Sequence, residues 1–393
     1  MLRWLSERAM QDEPLALYVH WPFCLSRCPY CDFNAHVRET IPQNRFRAML
    51  RNELMYEAKR LGRRRLGSIF FGGGTPSLML PETVAQIITD ATAYFDPVSH
   101  LEVTLEANPT SVEVEKFKRF RQAGVNRISL GIQALEEQAL QFLGRKHSVA
   151  QAYAALETAQ ALFPRVTFDL IYARPGQTAR AWQRELRNAL SFATEHIALY
   201  QLTIEHGTRF ASLYHEGHFV LPHAEEAANL YELTAEITSF CGLQAYEVSN
   251  YARKGCESRH NLVYWRYGDY LGIGPGAHSR FILPNGFYAI QRHRVPELWA
   301  DLVEQYGTGQ TAQETLEERD RAREMLLMGL RIEEGINLHR FEIRTGITLK
   351  ESVDAVILNK ALEENYLILT KDILRATKKG RLRLDSLLTA LLL

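Results

Sequence analysis

The order of strand-like and helical patterns limits what this chain can fold into more than any other feature of its sequence. Six short runs of apolar, β-branched or aromatic residues recur, and longer segments with helical spacing of their apolar residues lie between them. The strand-like runs are 15–20, 67–71, 101–107, 127–132, 166–172 and 196–203, and the helical segments are 43–61, 81–94, 111–123, 134–143, 148–162 and 178–193. This alternation predicts an α/β fold with a parallel sheet, and six repeats predict an open, partial (β/α)6 barrel.

The regular alternation ends near residue 205, which predicts further units beyond the barrel. We predict an N-terminal arm over 1–14, the barrel over 15–205, a loop-rich, site-forming extension over 206–300 and a smaller, mostly helical domain over 301–393. Within the last, strand-like runs at 366–369 and 380–384 flank the turn around 378–380. This pattern resembles a winged-helix domain with a two-stranded wing.

Composition excludes several classes of protein. Lys+Arg and Asp+Glu each total 46 and no basic stripe is present, so we expect no nucleic-acid partner. The first residues carry charges where a secretory signal is apolar, and no run reaches the roughly 18 apolar residues of a membrane span. We therefore expect a cytoplasmic monomer or homodimer, with any membrane association peripheral and made through partners.

Three of the five cysteines lie within eight residues, on a loop after the first strand-like run. Cys24, Cys28 and Cys31 are spaced to reach three irons of one [4Fe-4S] cluster, and three thiolates leave the fourth iron open to a small molecule. A structural zinc site is the alternative, but its fourth ligand would have to be His20 or His36 at awkward spacing. The cysteine spacing thus favours a cluster with one open iron.

The other two cysteines lie far from this loop in sequence. We do not assign Cys241 or Cys256 to the cluster. Cys241 is predicted to be a small buried residue, and Cys256 a loop thiol.

Glycine and polar residues follow the other strand-like runs, where such a barrel places its chemistry. The glycine run 72–75 lets backbone amides approach a ligand, although a tight turn would also explain it. Glu106 can accept hydrogen bonds from ribose hydroxyls, and Arg145 can bind a carboxylate through two parallel hydrogen bonds. Gln133 and Asp169 are predicted to face the same mouth. An ordinary loop carboxylate and a solvated arginine are the alternatives for Glu106 and Arg145.

The cysteine motif C-x3-C-x-aromatic-C, with Tyr30 as the aromatic residue, resembles the signature of the radical S-adenosylmethionine (SAM) superfamily. The resemblance implies that the open iron binds SAM, and that an electron from a donor protein splits its sulfur–C5′ bond to generate a radical. The SAM- and cofactor-binding residues that it implies are Tyr18, Tyr30, Gly73, Gly74, Thr75, Glu106, Gln133, Arg145 and Asp169.

Longer strings extend the resemblance over nearly the whole chain, at 17–20, 28–34, 70–77, 246–252, 260–265 and 270–279. They are similar to the oxygen-independent coproporphyrinogen III oxidase-like family, which contains oxidases and a HemW, or haem chaperone, branch. Phe33 stands where the oxidases have a further cysteine, and only 23 residues precede Cys24, where oxidases have a longer arm. The string from His260 to Trp265 is similar to the H-N-x-x-Y-W string of the HemW branch, which we therefore favour.

This branch implies three cofactors or ligands, namely the cluster, SAM and haem, and delivery of haem to apo-haemoproteins of the respiratory chain. The alternative is a coproporphyrinogen III dehydrogenase. His260 is the predicted haem contact, with His20 and His278 as rivals. Ala173 and Arg174 replace the family's usual Gly-Leu, which predicts a narrower mouth or a cation for a haem propionate.

Overall fold

The computed structural model describes residues 13–392, so the predicted N-terminal arm, 1–14, lies almost wholly outside the described residues. The strands are β1 (Leu15–Trp21), β2 (Phe23–Cys24), β3 (His36–Val37), β4 (Arg65–Gly73), β5 (Asp96–Ala107), β6 (Arg127–Gln133), β7 (Arg165–Tyr172), β8 (His196–Gln201), β9 (Gln244–Ala245), β10 (Asn250–Ala252), β11 (Tyr270–Ile273), β12 (His278–Leu283), β13 (Gly286–Arg292), β14 (Gln310–Thr315), β15 (Ile336–Asn337), β16 (Leu367–Leu369) and β17 (Ile373–Ala376).

Helices alternate with these strands and then dominate the end of the chain. They are α1 (Gln43–Leu61), α2 (Pro81–Tyr94), α3 (Ser111–Val114), α4 (Phe117–Gln122), α5 (Glu137–Phe142), α6 (Val149–Leu162), α7 (Ala179–Leu190), α8 (Arg209–His215), α9 (Ala224–Phe240), α10 (Arg259–Trp265), α11 (Pro296–Tyr306), α12 (Glu318–Gly329), α13 (Leu338–Thr345), α14 (Leu349–Ser352), α15 (Ala355–Glu363), α16 (Lys378–Arg381) and α17 (Leu384–Leu391), with a 3-10 turn at Pro76–Leu78. Over residues 13–392, none is long and apolar enough to cross a membrane.

Six neighbouring parallel strands form the centre of a 12-stranded sheet. The order in that sheet is β14-β13-β12-β11-β1-β4-β5-β6-β7-β8-β10-β9. From β1 through β4, β5, β6, β7 and β8, every pairing is parallel, which confirms the predicted partial (β/α)6 barrel. Because the carboxyl ends of parallel strands meet at one edge, the segments that follow them surround one opening.

The alternation of residues along β1 shows why the sequence forms this barrel. Every second residue of Leu15–Trp21 is apolar and fully buried, in one core with the apolar face of α1. Tyr18 lies in a second layer, formed by aromatic rings on the other side of the strand. Its ring lies 6.2 Å from the ring of Phe70 and 6.3 Å from that of His260. The apolar residues thus fix the helix-facing side of the strand and leave the alternate residues for the barrel interior.

The segment 206–300 is more regular than the loop-rich extension that the sequence predicted. It contains α9, with 17 residues, and strands that lengthen the sheet at both edges. Strands β9 and β10 continue antiparallel from β8, while β11 pairs parallel with β1. These strands are two to four residues long, so their pattern is too short to distinguish from loop in the sequence.

The C-terminal domain begins later than the predicted boundary at residue 301. Trp299 and Val303 of α11 belong to the barrel core, and β14 pairs with β13 of the main sheet. A second apolar core starts with Ala322 and runs to Leu391, and it also takes in Phe287 of β13. The helical periodicity of α11 gives no sign of which core the helix joins, which explains the misplaced boundary.

The predicted wing is only half correct. One strand is β16, but it pairs with β17, and β17 also pairs with β15. The predicted second strand, 380–384, is wrong because this segment is helical and turn structure. The Thr377 hydroxyl accepts a hydrogen bond from the amide of Gly380 and so caps α16 at that point.

Candidate functional site

The carboxyl ends of the barrel strands open into one cavity of about 1230 Å³. Among the predicted site residues that line it are Cys24, Cys28, Tyr30, Cys31, Gly73, Gly74, Thr75, Glu106, Gln133, Arg145 and Asp169. This volume exceeds the roughly 300–1,000 Å³ typical of a pocket for one small ligand. The structure therefore brings together all the predicted site residues except Tyr18 and His260, with room for more than one ligand.

The two ends of the cysteine loop are paired with each other. Cys24 ends β2, which pairs with β3, and the carbonyl oxygen of Cys24 accepts a 3.1 Å hydrogen bond from the amide of Arg38. Between these points, the amide of Cys31 donates to the carbonyl oxygen of Cys28 at 3.2 Å. Cys24 is buried and the other two thiols are half-buried. The loop thus presents three thiols to the cavity from a fixed base.

Two of the thiols receive hydrogen bonds from the barrel. The Thr75 hydroxyl donates to Cys24 Sγ at 3.4 Å, and Arg145 Nη1 donates to Cys28 Sγ at 3.3 Å. Arg145 Nη2 is held by Asn108 Oδ1 at 2.6 Å and by the carbonyl oxygen of Gly131 at 2.7 Å. Burial raises the pKa of the Cys24 thiol to about 11, and Thr75 and Arg145 oppose that rise. Donors of this kind suit sulfur atoms that ligate iron.

Gly74 follows β4 and allows the end of that strand to lie close to the cysteine loop. Its amide donates to the carbonyl oxygen of Trp21 at 2.7 Å. A Cβ atom at this position would lie 2.7 Å from the carbonyl oxygen of Phe23 and 3.0 Å from Cys24 Sγ. Any side chain here would displace backbone or a thiol, so the glycine run is more than a tight turn.

Two carboxyl groups, those of Glu106 and Asp169, lie in the cavity wall. Burial raises the pKa of Glu106 to about 8, and the nearby Asp169 carboxylate adds to that rise. Burial likewise raises the pKa of Asp169 to about 7, although the Arg127 guanidinium opposes the rise. Glu106 Oε2 accepts a hydrogen bond from the amide of Gly73 at 3.3 Å. At neutral pH these groups can both donate to and accept from ligand hydroxyls.

The structure does not bring His260 or Tyr18 to the cavity. Only 1% of His260 is exposed, and both ring nitrogens have partners, Ser68 Oγ at 2.9 Å and the Tyr264 hydroxyl at 3.0 Å. Burial lowers the pKa of His260 to about 3, so its ring is neutral. The predicted haem contact is thus a structural hydrogen-bonding residue inside the barrel. Tyr18 lies in the same layer, with its hydroxyl 3.0 Å from His20 Nδ1.

The rival histidines are not at the cavity either. His20 is buried, with its other ring nitrogen 2.9 Å from the carbonyl oxygen of Asn34, and His278 is exposed on β12. His147, which the sequence did not single out, does line the cavity, but its Nε2 lies 3.0 Å from the carbonyl oxygen of Ile132. Neither His260 nor its rivals His20 and His278 is thus among the residues that line the cavity.

The remaining cysteines lie outside the cavity, in agreement with their exclusion from the cluster. Cys241 was predicted to be buried, but it is exposed because it follows α9 as the C-terminal cap. Cys256 is half-buried in a loop, and its Sγ donates to Glu195 Oε2 at 3.4 Å.

Ala173 and Arg174 were predicted to narrow the mouth of the cavity or to supply a cation for a haem propionate, but neither is among the residues that line the cavity. Arg174 is 4% exposed and its guanidinium binds the buried Glu185, with Nη2 2.5 Å from Oε2. It is therefore committed to a structural ion pair and offers no cation to a propionate. Ala173 has a φ of 56°, in the left-handed region where a Cβ atom is unfavourable.

We expect Ala173→Gly to stabilise the chain by up to about 1 kcal/mol, because relief of the left-handed strain exceeds the entropy cost of glycine. The midpoint of urea unfolding measures this. Ala181→Gly, inside α7, is the matched control and should destabilise by about 1 kcal/mol. A lower midpoint for Ala173→Gly would show that the alanine methyl group matters more than the strain.

Several cavity residues were missed by the sequence analysis. Asn108 holds Arg145, and it follows Glu106 closely enough to have been included in the same strand-end motif. Tyr231, Arg331 and Arg381 come from outside the barrel, and only the folded chain brings them to it. Neither spacing nor periodicity carries a signal for such long-range neighbours.

Comparison with known proteins agrees with this site. The model of the Radical SAM superfamily matches residues 18–188, and that of the HemN C-terminal domain matches residues 316–383. Coproporphyrinogen III oxidase (HemN) from Escherichia coli has the same fold, with a TM-score of 0.80 and 20% identity over 98% of this chain and 92% of that one. The fold and the three-cysteine site define a radical SAM protein, and that class implies SAM and a [4Fe-4S] cluster.

Curated relatives narrow the class further. The heme chaperone HemW of Escherichia coli is 35% identical over 95% of this chain and 97% of its own length, and that of Bacillus subtilis is 33% identical over 89% and 92%. The mitochondrial radical S-adenosyl methionine domain-containing protein 1 of Bos taurus is 41% identical over 96% and 87%. The chain belongs to the HemW family of radical SAM proteins.

Proposed function

We propose that this chain is a haem chaperone, which binds haem and a SAM-ligated [4Fe-4S] cluster and delivers haem to apo-haemoproteins of the respiratory chain. The observation that carries the proposal is the single cavity of about 1230 Å³, which the cysteine loop and the C-terminal domain both line. A pocket for SAM alone needs less space. The name heme chaperone HemW, carried by relatives about 35% identical, supports haem as the second ligand.

The residues present fit the cluster and SAM. Cys24, Cys28 and Cys31 would hold three irons, and Gly74 leaves the space beside Cys24 Sγ that a cluster needs. When bound, the cluster supplies a coordination site for SAM and a route for an electron from a donor protein.

The chain's own residues would orient SAM and keep water out. Glu106 and Asp169, whose pKa values are raised to about 8 and about 7, would exchange hydrogen bonds with the ribose hydroxyls. The amides of the glycine run would meet the amino-acid end of SAM. The guanidinium of Arg145, which is anchored by Asn108, would stabilise the charge of the thiolates and attract the SAM carboxylate.

One observation bears on the alternative, a coproporphyrinogen III dehydrogenase. The side chain of Phe33, at the position of the oxidases' further cysteine, is 57% exposed and lines the cavity. An apolar ring cannot take over the acid–base or redox chemistry of a thiol. It does suit contact with the face of a large apolar macrocycle, which favours haem handling.

Product analysis separates the two functions. The reconstituted protein is incubated without oxygen with SAM, dithionite and coproporphyrinogen III, and the same preparation, loaded with haem, is mixed with an apo-haemoprotein. We expect no protoporphyrinogen IX above the level of a sample without SAM, together with transfer of haem to the apoprotein. Steady formation of protoporphyrinogen IX would overturn the chaperone proposal.

A further inference from the structure

The C-terminal domain contributes two arginines to the cavity wall. Arg331 follows α12 and Arg381 ends α16, and both line the cavity. Tyr231 of α9 lines it beside them. Burial raises the pKa of the Tyr231 phenol, and the adjacent guanidinium of Arg381 opposes that rise, as does that of Arg331. One part of the wall is thus a cluster of two cations and a phenol that the SAM site does not use.

Arg381 is incompletely satisfied. Only 6% of its side chain is exposed, yet Nη1 forms no hydrogen bond within residues 13–392. This atom lies against the carboxylate of Glu333 in an ion pair that lacks hydrogen-bond geometry. Because 49% of the Glu333 side chain is exposed, that carboxylate can turn to solvent at little cost. A buried guanidinium whose partner carboxylate is half-exposed and poorly aligned for a hydrogen bond can bind a better-placed acceptor.

Arg331 also has a buried guanidinium nitrogen that forms no hydrogen bond in the described part of the chain. This atom is Nε, and the guanidinium carbon lies 5.1 Å from the centre of the Trp265 ring. No carboxylate within residues 13–392 forms an ion pair with Arg331. The two guanidinium groups thus have one ion-pair partner between them within residues 13–392, the half-exposed Glu333 of Arg381.

We propose that Arg331 and Arg381 form a carboxylate-binding subsite of the cavity, which holds the propionates of haem. The inference rests on the proposed haem-binding function and assigns residues to it. Planar guanidinium groups bind carboxylates through paired hydrogen bonds, and burial strengthens such pairs. In this arrangement Glu333 is the carboxylate that the propionate displaces. The C-terminal domain then selects a tetrapyrrole with free carboxylates, while the barrel holds SAM.

The test compares haem with haem dimethyl ester, which lacks the two carboxylates but keeps the macrocycle. We expect the wild-type chain to bind haem about 10-fold or more tightly than the ester. In the double variant Arg331→Gln/Arg381→Gln the affinity for haem should fall to that for the ester, and the affinity for the ester should not change. Arg331→Lys/Arg381→Lys, which keeps the charge, should restore part of the preference. Arg319→Gln, an exposed change in the same domain, is the matched control and should behave as wild type.

Each outcome has a distinct meaning. If the wild-type chain binds neither compound, the proposed function fails and the subsite with it. If it binds both compounds equally, or if the glutamine variant keeps its preference for haem, the subsite is overturned while haem binding stands. If the glutamine variant loses affinity for SAM and keeps its affinity for haem, the arginines bind the SAM carboxylate and the proposal is wrong. Circular dichroism and iron content confirm that each variant is folded and loaded.

Discussion

Replacing Cys24, Cys28 and Cys31 together by serine should remove nearly all bound iron and sulfide, about four of each per chain, and leave haem binding in place. The three thiols line one cavity and lie on a loop fixed by its own hydrogen bonds, so loss of the sulfur ligands should not unfold the barrel. Serine hydroxyls are poor ligands for iron. The haem subsite proposed for the C-terminal domain does not involve the cysteines.

Iron and sulfide analysis after anaerobic purification, followed by a haem titration, measures both parts of this prediction. Cys241→Ser/Cys256→Ser is the matched control, because both residues lie outside the cavity, and it should keep full iron content. Loss of iron and haem together in the triple variant would show that the haem site needs the cluster. Zinc instead of iron in the wild-type protein would support the structural zinc site.

Asp269→Asn should destabilise the chain by about 3–5 kcal/mol, because it removes the charge that compensates two buried arginines. Asp269 is 1% exposed and accepts hydrogen bonds from Arg64 Nη1 at 2.8 Å and from Arg344 Nη2 at 2.7 Å. Arg64 precedes the barrel strand β4 and Arg344 belongs to α13. The carboxylate thus joins the barrel to the C-terminal domain, and asparagine would leave both guanidinium groups without an opposite charge.

The urea unfolding midpoint measures this effect. Asp301→Asn is the control, since Asp301 is 60% exposed in its ion pair with Arg45 and should cost at most about 1 kcal/mol. The effect should also depend on pH. Burial raises the pKa of Asp269, but Arg344 and Arg64 together outweigh burial and hold this pKa below its usual 3.8. The stabilising contribution of Asp269 is therefore present above pH 3.8 and is lost as the pH falls through the lower folded value. Equal midpoints for the two variants would contradict the compensating role of Asp269.

The sequence predicted the barrel well because its strands and helices have strong local signals. The predicted helices 43–61 and 81–94 coincide with α1 and α2. The bounds of the strand-like runs differ from those of β1 and β4 to β8 by at most five residues. Parallel order follows from the alternation alone. The cysteine loop and the strand-end residues then had to share one edge, which explains why most of the candidate site was also predictable.

The wrong predictions have a common physical cause. Local sequence does not determine how deeply a side chain is buried or which distant residues it contacts. His260 belongs to a string typical of the family, yet it packs inside the barrel against Ser68 and Tyr264. Cys241 is small and apolar in character but lies at the exposed end of a helix. Conversely, nothing in the local sequence around Arg381, which follows two lysines closely, indicates that its side chain is buried in the cavity wall.

Haem titration of the reconstituted wild-type chain, without oxygen and with SAM present, tests the central claim most directly. If the cavity holds haem, the Soret band should shift and saturate at about one haem per chain, and an apo-haemoprotein should then take up that haem. A titration in which the spectrum remains that of free haem at all concentrations would contradict the account.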